Sequence, residues 1–590
     1  MKKVFSCFLF FMYLTTFLFS ADTVNIQILG TSQLNEKFMP YNYDTGVANS
    51  KGSMVQLATL IRNLKSENKN TLLFDSGNAT YSNWYELFLN DDTTPAVEYF
   101  NYTKYDAITP GNKDFDHGIE FFNKIFKPFN GEIILANLYK NDKRVYEPYK
   151  IFKKDDVKIA LIGVMTPYMK KLGEEYTVVN PADEVAKVIT ELKGKADIII
   201  VSANVKLNDE YGTLGSTREI AKKNPEVSII FAGYEPTLIN ERSESGAVLI
   251  NSGKFGEYLS KINIVLTKKN NNWIINDKSK DIISENIAVK DTTPDLELAN
   301  RFEKFNNLVL NDTHKIIGDL IGGDLVRAND ISEIPIVQLE PTPLVQLINE
   351  VQRYYTKADI SSTPIFKNDA NISEGPIKKS DIAAIYNSDN TLRAYKFNGA
   401  QLKKYMEWSA SFYNTLNPED LTVSFNENIK GSNYDIFSGV YYEINLSNPS
   451  GMRIENLRKS DGTPVKDTDI FTVAINDYRA DSTLFSEKNG LFKPEEVPLV
   501  IDLYKTRGNK SKIQELIKEY ISTVKGGVIT PEMTENWELT GISWDPELHS
   551  KVLDLVAEKK LSIPKSENGK SKNIKSITIN DLESFETPQQ

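Results

Sequence analysis

Apolar residues are spaced in two ways along residues 24–285, as short runs rich in Ile and Val and as longer stretches with helical periodicity. The short runs, bounded by polar turns, are typical of strands that are buried on both faces. Residues 54–65 and 180–193 have the spacing of amphipathic helices. The repeated order of strand, loop and helix predicts a layered α/β domain whose functional groups lie on loops beyond the carboxyl ends of the strands. The predicted strands are 24–29, 71–74, 133–136, 157–164, 196–202, 227–232 and 247–250.

The pattern changes after residue 290. Residues 291–311 form a charged stretch with helical spacing, and a region rich in carboxylates then leads to Pro341-Thr342-Pro343. Short strands and helices, among them helices at 399–409 and 510–524, continue from there to residue 564. We therefore predict four parts in the mature chain. They are a first domain at 22–290, a helical linker at 291–339, a smaller second domain at 340–564, and a polar, loosely ordered tail at 565–590.

The N-terminus has the features of an export signal. Two lysines follow Met1, residues 4–19 carry no charge, and the small residues Ser20 and Ala21 come next. This pattern predicts a signal peptide over residues 1–21 and a protein that is periplasmic, attached to the cell surface or secreted. A retained membrane anchor is the alternative, because the apolar run is close to the shortest length that spans a bilayer. If the signal is cleaved, we expect no membrane span in the mature protein.

Composition excludes several kinds of site. The 590 residues are too many for a single core, and 69 Lys and Arg against 80 Asp and Glu give a net charge of −11. This acidic balance disfavours binding to nucleic acid. The single cysteine, Cys7, lies in the apolar N-terminal run, so no intramolecular disulfide or thiolate zinc cluster is available. Only His117, His314 and His549 supply imidazole, which limits metal binding and proton transfer by histidine.

Five polar segments follow the predicted strands and are the places to look for chemistry. They are Gly30-Thr31-Ser32-Gln33-Leu34-Asn35-Glu36, Asp75-Ser76-Gly77-Asn78, Gly111-Asn112-Lys113-Asp114-Phe115-Asp116, Ser202-Ala203-Asn204 and Gly233-Tyr234-Glu235-Pro236. In order and spacing they resemble the metal loops of the calcineurin-like metallophosphoesterases, in particular the exported 5′-nucleotidase and 2′,3′-cyclic-nucleotide 2′-phosphodiesterase family. The segment Phe38-Met39-Pro40-Tyr41-Asn42-Tyr43 is similar to the cyclic-nucleotide branch.

The second domain carries the same resemblance. Its segments are similar to the C-terminal nucleoside-binding domain of that family. They include Glu374-Gly375-Pro376-Ile377, Asp389-Asn390-Thr391-Leu392, Asn398-Gly399-Ala400-Gln401-Leu402-Lys403, Gly439-Val440-Tyr441-Tyr442-Glu443-Ile444 and Asn476-Asp477-Tyr478-Arg479-Ala480. The resemblance implies a layered metallophosphoesterase-like N-terminal domain followed by a smaller mixed α/β C-terminal domain of the 5′-nucleotidase type.

The resemblance also implies hydrolysis by two divalent metal ions, which need anionic and imidazole ligands. This chain has neutral residues at the family's seven ligand positions, where only the third-loop asparagine matches the family. Those positions are Gln33, Asn35, Asn78, Asn112, Asn204, Tyr234 and Pro236. The catalytic histidine of the family falls on Lys113, and the aspartate that orients it is retained as Asp116. We therefore expect no metal cofactor, and a metal pair only if the protein is an active enzyme after all.

The charged residues near these loops each have two possible roles. Lys113 either pairs with Asp116 in an inert cleft, which we favour, or still attracts a phosphate as a point charge. Glu36 and Glu235 either form a weak mononuclear magnesium or calcium site or, as we favour, are two solvated loop carboxylates. His117 follows Asp116 directly, and a solvated or capping role is favoured over a ligand role.

The nucleoside pocket implied by the resemblance is altered as well. The family stacks the base between aromatic side chains, but Ser388 lies at the first such position. Phe485 either forms one wall of the pocket or belongs to the core, and Asn371 and Arg479 are the remaining polar candidates for substrate binding.

Three functional hypotheses follow. The first is an exported pseudoenzyme of the 5′-nucleotidase family that has lost metal-dependent hydrolysis and keeps a binding or structural role. The second is an active 5′-nucleotidase or cyclic-nucleotide phosphodiesterase with an unconventional site, for instance Glu36, Glu235, Asn112 and Asp116 around one metal. The third is a non-catalytic protein that binds a nucleotide or nucleoside.

Overall fold

The computed structural model describes residues 22–43, 47–82, 84–88, 91–168, 172–208, 215–331, 333–486, 489–567 and 571–586. The chain divides into two compact units. The first comprises residues up to 41 together with 48–308, and the second comprises 42–47 together with 309–590. The expected signal peptide, and the anchor that is its alternative, lie outside the described residues. Within the described ranges, no helix combines the length and the apolar character that crossing a membrane requires.

The first unit contains two large sheets, and apolar side chains from both form one shared core cluster. Ile28 and Phe74 from one sheet join Leu161 and Phe231 from the other in this cluster. The first sheet has the strand order Asn272–Ile274, Tyr258–Lys269, Thr23–Thr31, Thr71–Asp75, Ala107–Ile108, Glu132–Ile133, with Ile282–Ala288 also paired to Tyr258–Lys269. The second has the order Ile239–Arg242, Val248–Asn251, Ile229–Ala232, Ile198–Asn204, Val157–Met165, Tyr149–Lys154.

Parallel pairing in the centres of both sheets brings successive strand ends to one edge. Thr23–Thr31 runs parallel to Thr71–Asp75, and Ile198–Asn204 runs parallel to both Val157–Met165 and Ile229–Ala232. A smaller sheet joins Tyr176–Val178, Leu138–Lys140 and Lys143–Arg144. The helices of this unit are Met54–Glu67, Pro95–Thr103, Ile119–Phe126, Pro181–Leu192, Thr217–Lys223, Lys278–Asp281 and Leu296–Arg301. The layered α/β prediction is confirmed.

Local sequence signals explain where the predicted elements begin and end. The helix Met54–Glu67 begins after Ser53, whose side chain accepts a hydrogen bond from the Gln56 amide and caps the first turn. Pro181–Leu192 begins in the same way after Asn180, with proline at its first position. The strand expected at 133–136 is shorter than predicted and ends at Ile133. Its apolar continuation is buried and forms only an isolated bridge, between Ile134 and Glu147, which an apolar run alone cannot distinguish from a strand.

The second unit is a mixed α/β domain around a five-stranded sheet. The strand order is Asp435–Ser438, Ile360–Pro364, Ile470–Asn476, Leu392–Asn398, Leu499–Asp502. Two three-stranded sheets flank it, one of Ile454–Lys459, Val440–Asn445 and Trp537–Thr540, the other of Gly375–Lys378, Ile316–Leu320 and Val528–Ile529. The helices are Pro343–Thr356, Lys379–Ile385, Gly399–Ala410, Asp477–Arg479, Leu503–Arg507, Ile513–Glu519, Pro546–Ala557 and Ile579–Glu586.

Two predictions for this half of the chain need correction. The segment 291–339 is helical only in part, over Leu296–Arg301 and Glu303–Thr313, and it then supplies the strand Ile316–Leu320 to a sheet. The tail is not loosely ordered over residues 571–586. Ile577 and Leu582 are buried there, and the Leu421 amide donates to the Ile577 carbonyl at 2.7 Å. A few widely spaced apolar residues give this segment its core contacts, and such spacing leaves no periodic signal in the sequence.

Candidate functional site

The first two loops of the first unit are joined by backbone hydrogen bonds. Gln33 and Asn35 have positive φ angles of 46° and 49°, which turn the first loop towards the second. Three amides of the first loop then donate to carbonyls of the second. These bonds are Gln33 to Gly77 at 2.9 Å, Asn35 to Asn78 at 3.2 Å and Glu36 to Ala79 at 2.8 Å. The two loops therefore form one rigid surface at the edge of the sheet.

The second, third and fourth loops meet at Gly111. A Cβ atom built on Gly111 would lie 2.2 Å from Asn78 Oδ1 and 2.6 Å from Asn204 Oδ1, so only glycine fits this approach. Asn204 Nδ2 donates to the Ser76 carbonyl at 2.7 Å. The strand ends thus bring Asn78 and Asn204, far apart in sequence, to the same small space beside the third loop.

The fifth loop is tied to the first through amide side chains. Gln33 Nε2 donates to the Glu235 carbonyl, and Asn251 Nδ2 donates to the same carbonyl at 2.7 Å. Lys206 Nζ lies 5.2 Å from the centre of the Tyr234 ring, and Pro236 is exposed. All five segments singled out from the sequence therefore lie in one connected loop surface.

The seven family ligand positions do not provide the donors that a pair of divalent cations needs. Gln33, Asn78 and Asn204 use side-chain atoms to connect the loops, as does Asn112, whose Nδ2 contacts the Tyr168 carbonyl at 3.4 Å. Three buried amide oxygens have no hydrogen-bond partner in the described ranges, namely Oδ1 of Asn35, Asn112 and Asn204. These oxygens are neutral, and dications held close together need anionic ligands to offset their repulsion. The residues present do not fit a dinuclear centre.

Acidic residues do not make up for the missing ligands. Among the described residues, no group of three or more His, Cys, Asp or Glu side chains is placed to hold a metal ion. Asp114 is buried and accepts four hydrogen bonds that fix the second and third loops. The donors are the amides of Asn78 at 2.7 Å, Gly111 at 2.8 Å and Thr80 at 3.0 Å, and the Thr80 hydroxyl at 2.8 Å. Asp114 is thus a structural organiser of the loops.

Burial also changes the protonation of the acids in this region. Burial raises the pKa of Glu36 to about 8, and the lowering effects of Thr94, of the Ala96 amide and of Ser82, in that order, offset this rise only in part. Burial likewise raises the pKa of Asp114, and that of Asp75 well above its usual range. A carboxyl group with such a pKa is a poor ligand for a cation at neutral pH. The expectation that Glu36 is a solvated loop carboxylate is therefore wrong, because the loop folds over it. Glu235, the other member of the alternative mononuclear site, accepts from the Leu207 amide at 3.0 Å.

Sequence reasoning did not single out Asp75 or Asp114. A signal for Asp114 was present in the sequence. Gly111 precedes a short 3₁₀ turn, Asn112–Phe115, and Asp114 is the third residue of that turn. An acidic side chain at this position caps free backbone amides. Asp75 ends a buried strand, where an acidic residue is expensive unless hydrogen-bonded. It accepts from the Thr31 hydroxyl at 2.7 Å and from the Gly77 amide at 2.8 Å.

Lys113 and Asp116 lie side by side, as expected from the sequence. Lys113 Nζ is 3.6 Å from Asp116 Oδ2 and 4.6 Å from the centre of the Tyr81 ring. The side chain of Lys113 is 35% exposed and that of Asp116 is 18% exposed. The ring of His117 packs edge-on against Phe121 at 6.0 Å between centroids. The ammonium group therefore stays within reach of solvent while its charge is partly offset.

The candidate nucleoside-binding residues of the second unit each contact other groups of that unit. Arg479 is 2% exposed, and all five of its N–H donors are used. They reach Asp435 (2.7 and 3.0 Å), Asn433 (3.2 Å), Thr483 (3.2 Å) and the Ser432 carbonyl (2.5 Å). This arrangement leaves Arg479 no donor for a ligand.

The other two candidates have contacts of a similar kind. Asn371 accepts from the Val326 amide at 2.8 Å and donates to Asp324 at 3.2 Å, which holds a loop. The Phe485 ring lies 4.9 Å from that of Tyr395, and it packs against the hydrophobic core. Neither contact set identifies a binding pocket for a base.

Comparison with known proteins agrees with this architecture. The family 5′-nucleotidase, C-terminal domain, matches residues 326–485. The chain is 24% identical over 611 residues to the 2′,3′-cyclic-nucleotide 2′-phosphodiesterase/3′-nucleotidase of Salmonella typhimurium, covering 90% of this chain and 91% of that protein. It is also 24% identical over 600 residues to the trifunctional nucleotide phosphoesterase protein YfkN of Bacillus subtilis. That match covers 89% of this chain but only 39% of the longer Bacillus protein.

Solved structures show the same fold. A Staphylococcus aureus protein described as a 5′-nucleotidase superposes with a TM-score of 0.66 at 19% identity, covering 88% of this chain and all of that one. A 5′-nucleotidase precursor from Thermus thermophilus gives a TM-score of 0.56 at 17% identity with the same coverage. The resemblance stated from the sequence is confirmed, as is the fold of a calcineurin-like phosphoesterase domain followed by a 5′-nucleotidase C-terminal domain.

Proposed function

We propose that this chain, which has the two-domain architecture of the 5′-nucleotidase family, is an exported pseudoenzyme. In this proposal the first domain has lost metal-dependent phosphoester hydrolysis, and the protein retains a binding or structural role. Export is supported by the basic, apolar and small-residue segments of residues 1–21.

The observation that carries the proposal is the neutral charge of all seven family ligand positions, from Gln33 to Pro236. The loops that carry these positions lie close together, as the contacts at Gly111 illustrate. Their side chains are amides, a phenol and an imino ring, which cannot neutralise two adjacent dications. The arrangement of the loops is therefore consistent with descent from the family. Their side chains, however, lack the chemistry for metal-dependent phosphoester hydrolysis.

Lys113 adds a further argument against a dinuclear centre. Its ammonium group lies in the loop where the family has its catalytic histidine, and a fixed positive charge there opposes the binding of cations. We propose that the pair with Asp116 is inert. The rival interpretation, an anion site, makes a different prediction for the variant Lys113→Ala. A large loss of affinity for phosphate or AMP in this variant would contradict the inert pair.

The active-enzyme alternative needs an unconventional site, for instance one metal held by Glu36, Glu235, Asn112 and Asp116. The burial of Glu36 and its raised pKa of about 8 count against it. Two of the other members have protein partners, since Glu235 accepts from the Leu207 amide and Asp116 lies beside Lys113. We therefore favour the loss of hydrolysis.

The test combines metal analysis of the purified full chain with turnover of a 2′,3′-cyclic nucleotide and a generic phosphodiester in added manganese. We expect no stoichiometric metal and no turnover above the rate without protein. Asn112→Ala is the matched control, because Asn112 is the one family ligand position that is retained. Stoichiometric metal together with turnover that Asn112→Ala abolishes would refute the proposal.

A binding role without catalysis has its own measurement. If the melting temperature rises with the logarithm of the adenosine or AMP concentration once the ligand is in excess of its Kd, the protein binds the nucleoside or nucleotide in the folded state. An unchanged melting temperature would favour the structural role. N-terminal sequencing of the mature protein tests export, with a start close to residue 22 as the expected result.

A further inference from the structure

The second unit contains a cavity away from its candidate nucleoside-binding residues. Its volume is about 290 Å³, at the lower end of the range of small-molecule pockets, which run from roughly 300 to 1,000 Å³. Four stretches of chain form its walls, namely 330–331 with 334–341, Thr422-Val423, the strand Trp537–Thr540 with the loop that follows it, and the helix Pro546–Ala557. The size suits one small organic molecule.

Apolar and aromatic side chains form most of the wall. Ile331 and Ile334 are 5% and 2% exposed and close one side, and Trp537 is 4% exposed. Trp544 and His549 stack with their ring centroids 4.4 Å apart and an interplanar angle of 7°. A wall of this kind favours a ligand with an aromatic or branched apolar body, because such a body removes apolar surface from water on both sides.

His549 gives the cavity a polar group of defined orientation. Its Nδ1 lies 2.6 Å from the Leu421 carbonyl oxygen, which can only accept a hydrogen bond, so Nδ1 carries the proton. In the neutral ring Nε2 is then the acceptor. A ligand with an N–H donor matches this acceptor, whereas a carboxylate or phosphate does not.

The charges around the cavity are mainly negative. Asp330, Glu340 and Glu538 line it, and Arg327 pairs with the first two at 2.7 Å each, so three carboxylates and one guanidinium leave a formal charge of −3 + 1 = −2. An adjoining groove of about 490 Å³ shares Glu340 and Glu538. It adds Glu443, Glu535 and a single cation, Arg458. The electrostatic potential at the mouth therefore attracts cations and repels anions.

We propose that this cavity binds a small organic cation, an amine attached to an aromatic or branched apolar body. The apolar body lies between the isoleucines and Trp544, and the ammonium group lies towards the carboxylates at the mouth. The site is independent of the proposed loss of hydrolysis, because it is built from the second unit alone and disfavours the anionic substrates of phosphoesterases.

The experiment uses the full chain and ligands that differ in charge. Melting temperature and NMR or fluorescence titration are compared for 2-phenylethylamine, 3-methylbutylamine and 3-phenylpropionate. We expect at least one amine to raise the melting temperature in a saturable way, and the carboxylate to bind at least about tenfold more weakly. Failure of both amines to bind, or equal binding of amine and carboxylate, overturns the proposal.

Two variants locate the binding site. Leu553→Trp fills the cavity and should weaken amine binding at least about tenfold, whereas Ser550→Trp, on the same helix but exposed, should leave it unchanged. Glu538→Lys reverses an exposed charge at the mouth and does not depend on repacking the cavity. It should weaken the amine and strengthen the carboxylate by several fold. Amine binding that survives both Leu553→Trp and Glu538→Lys would place the ligand elsewhere and refute the proposal.

Discussion

Buried carboxyl groups at two places in the molecule have opposite electrostatic surroundings, Asp435 in the second unit and three acids beside the loops of the first unit. In the second unit, Asp435 is 1% exposed and accepts two hydrogen bonds from the buried guanidinium of Arg479. In the first unit, Glu36, Asp75 and Asp114 are equally buried, and their described contacts include no ion pair to a described cation. The guanidinium of Arg479 compensates for the burial of Asp435, whereas burial of Glu36, Asp75 and Asp114 raises their pKa values and favours the protonated form.

The two regions therefore differ in the kind of contact that holds them together. The loops of the first unit are held by backbone bonds, by neutral amides and by the four hydrogen bonds to Asp114. None of these contacts needs a cation. The charged cluster of the second unit, in contrast, is a closed network in which each member depends on the others.

Breaking the network of the second unit should have the largest effect. Asp435→Leu leaves the guanidinium of Arg479 and the hydroxyl of Tyr405 without their acidic partner, at a cost of about 3–5 kcal/mol. Calorimetry of the full chain should show that the midpoint temperature of one unfolding transition falls markedly. Tyr405→Phe is the milder comparison, with an expected loss of about 1 kcal/mol. A loss of unfolding free energy below about 1 kcal/mol for Asp435→Leu would show that the network is dispensable.

Replacing Glu36, one of the buried acids of the first unit, should stabilise the protein, but only at high pH. Because burial raises the folded-state pKa of Glu36 from 4.5 to about 8, wild-type stability falls as the pH rises between these values. Glu36→Gln removes this dependence, so at pH 5 the two proteins should melt alike. At about pH 9 the variant should be more stable, by an amount of the order of 2–4 kcal/mol.

Melting temperatures recorded in steps from pH 5 to about pH 9 measure this effect. Glu235→Gln is the control, because Glu235 lies on the fifth loop and is only partly buried. A pH profile of Glu36→Gln that runs parallel to the wild-type profile would contradict the assignment to Glu36.

The smallest effect is expected at Lys113. Its pair with Asp116 spans 3.6 Å and remains accessible to solvent, and such pairs contribute about 0–1 kcal/mol. Lys113→Ala should therefore change the unfolding free energy by less than about 0.5 kcal/mol. Urea titration measures this change. A larger loss of unfolding free energy would mean that the ammonium group helps to hold the third loop. Both units would then depend on a charge pair.

Much of the fold could be predicted from the sequence. The strand Thr23–Thr31 and the helix Met54–Glu67 were recognisable because their side-chain periodicity is local and their ends carry local caps. The tail was missed, since Ile577 and Leu582 bury themselves against distant parts of the second unit. The helix predicted at 510–524 is interrupted for a similar reason. It is regular only over Ile513–Glu519 and continues as a wider turn over Tyr520–Val524.

The chemistry of the site could likewise be predicted from the sequence only in part. Which donors exist follows from the residue types alone, because the side chains of Gln33, Asn78 and Tyr234 are uncharged in their usual state at neutral pH whatever the fold. The folded arrangement was needed to show that Glu36 is fully buried with a raised pKa, that Asp114 organises two loops, and that Arg479 uses all its donors inside its own unit. The reason is physical: the chemical type of a side chain belongs to the residue, whereas desolvation and hydrogen bonding are set by neighbours that the folded chain brings together.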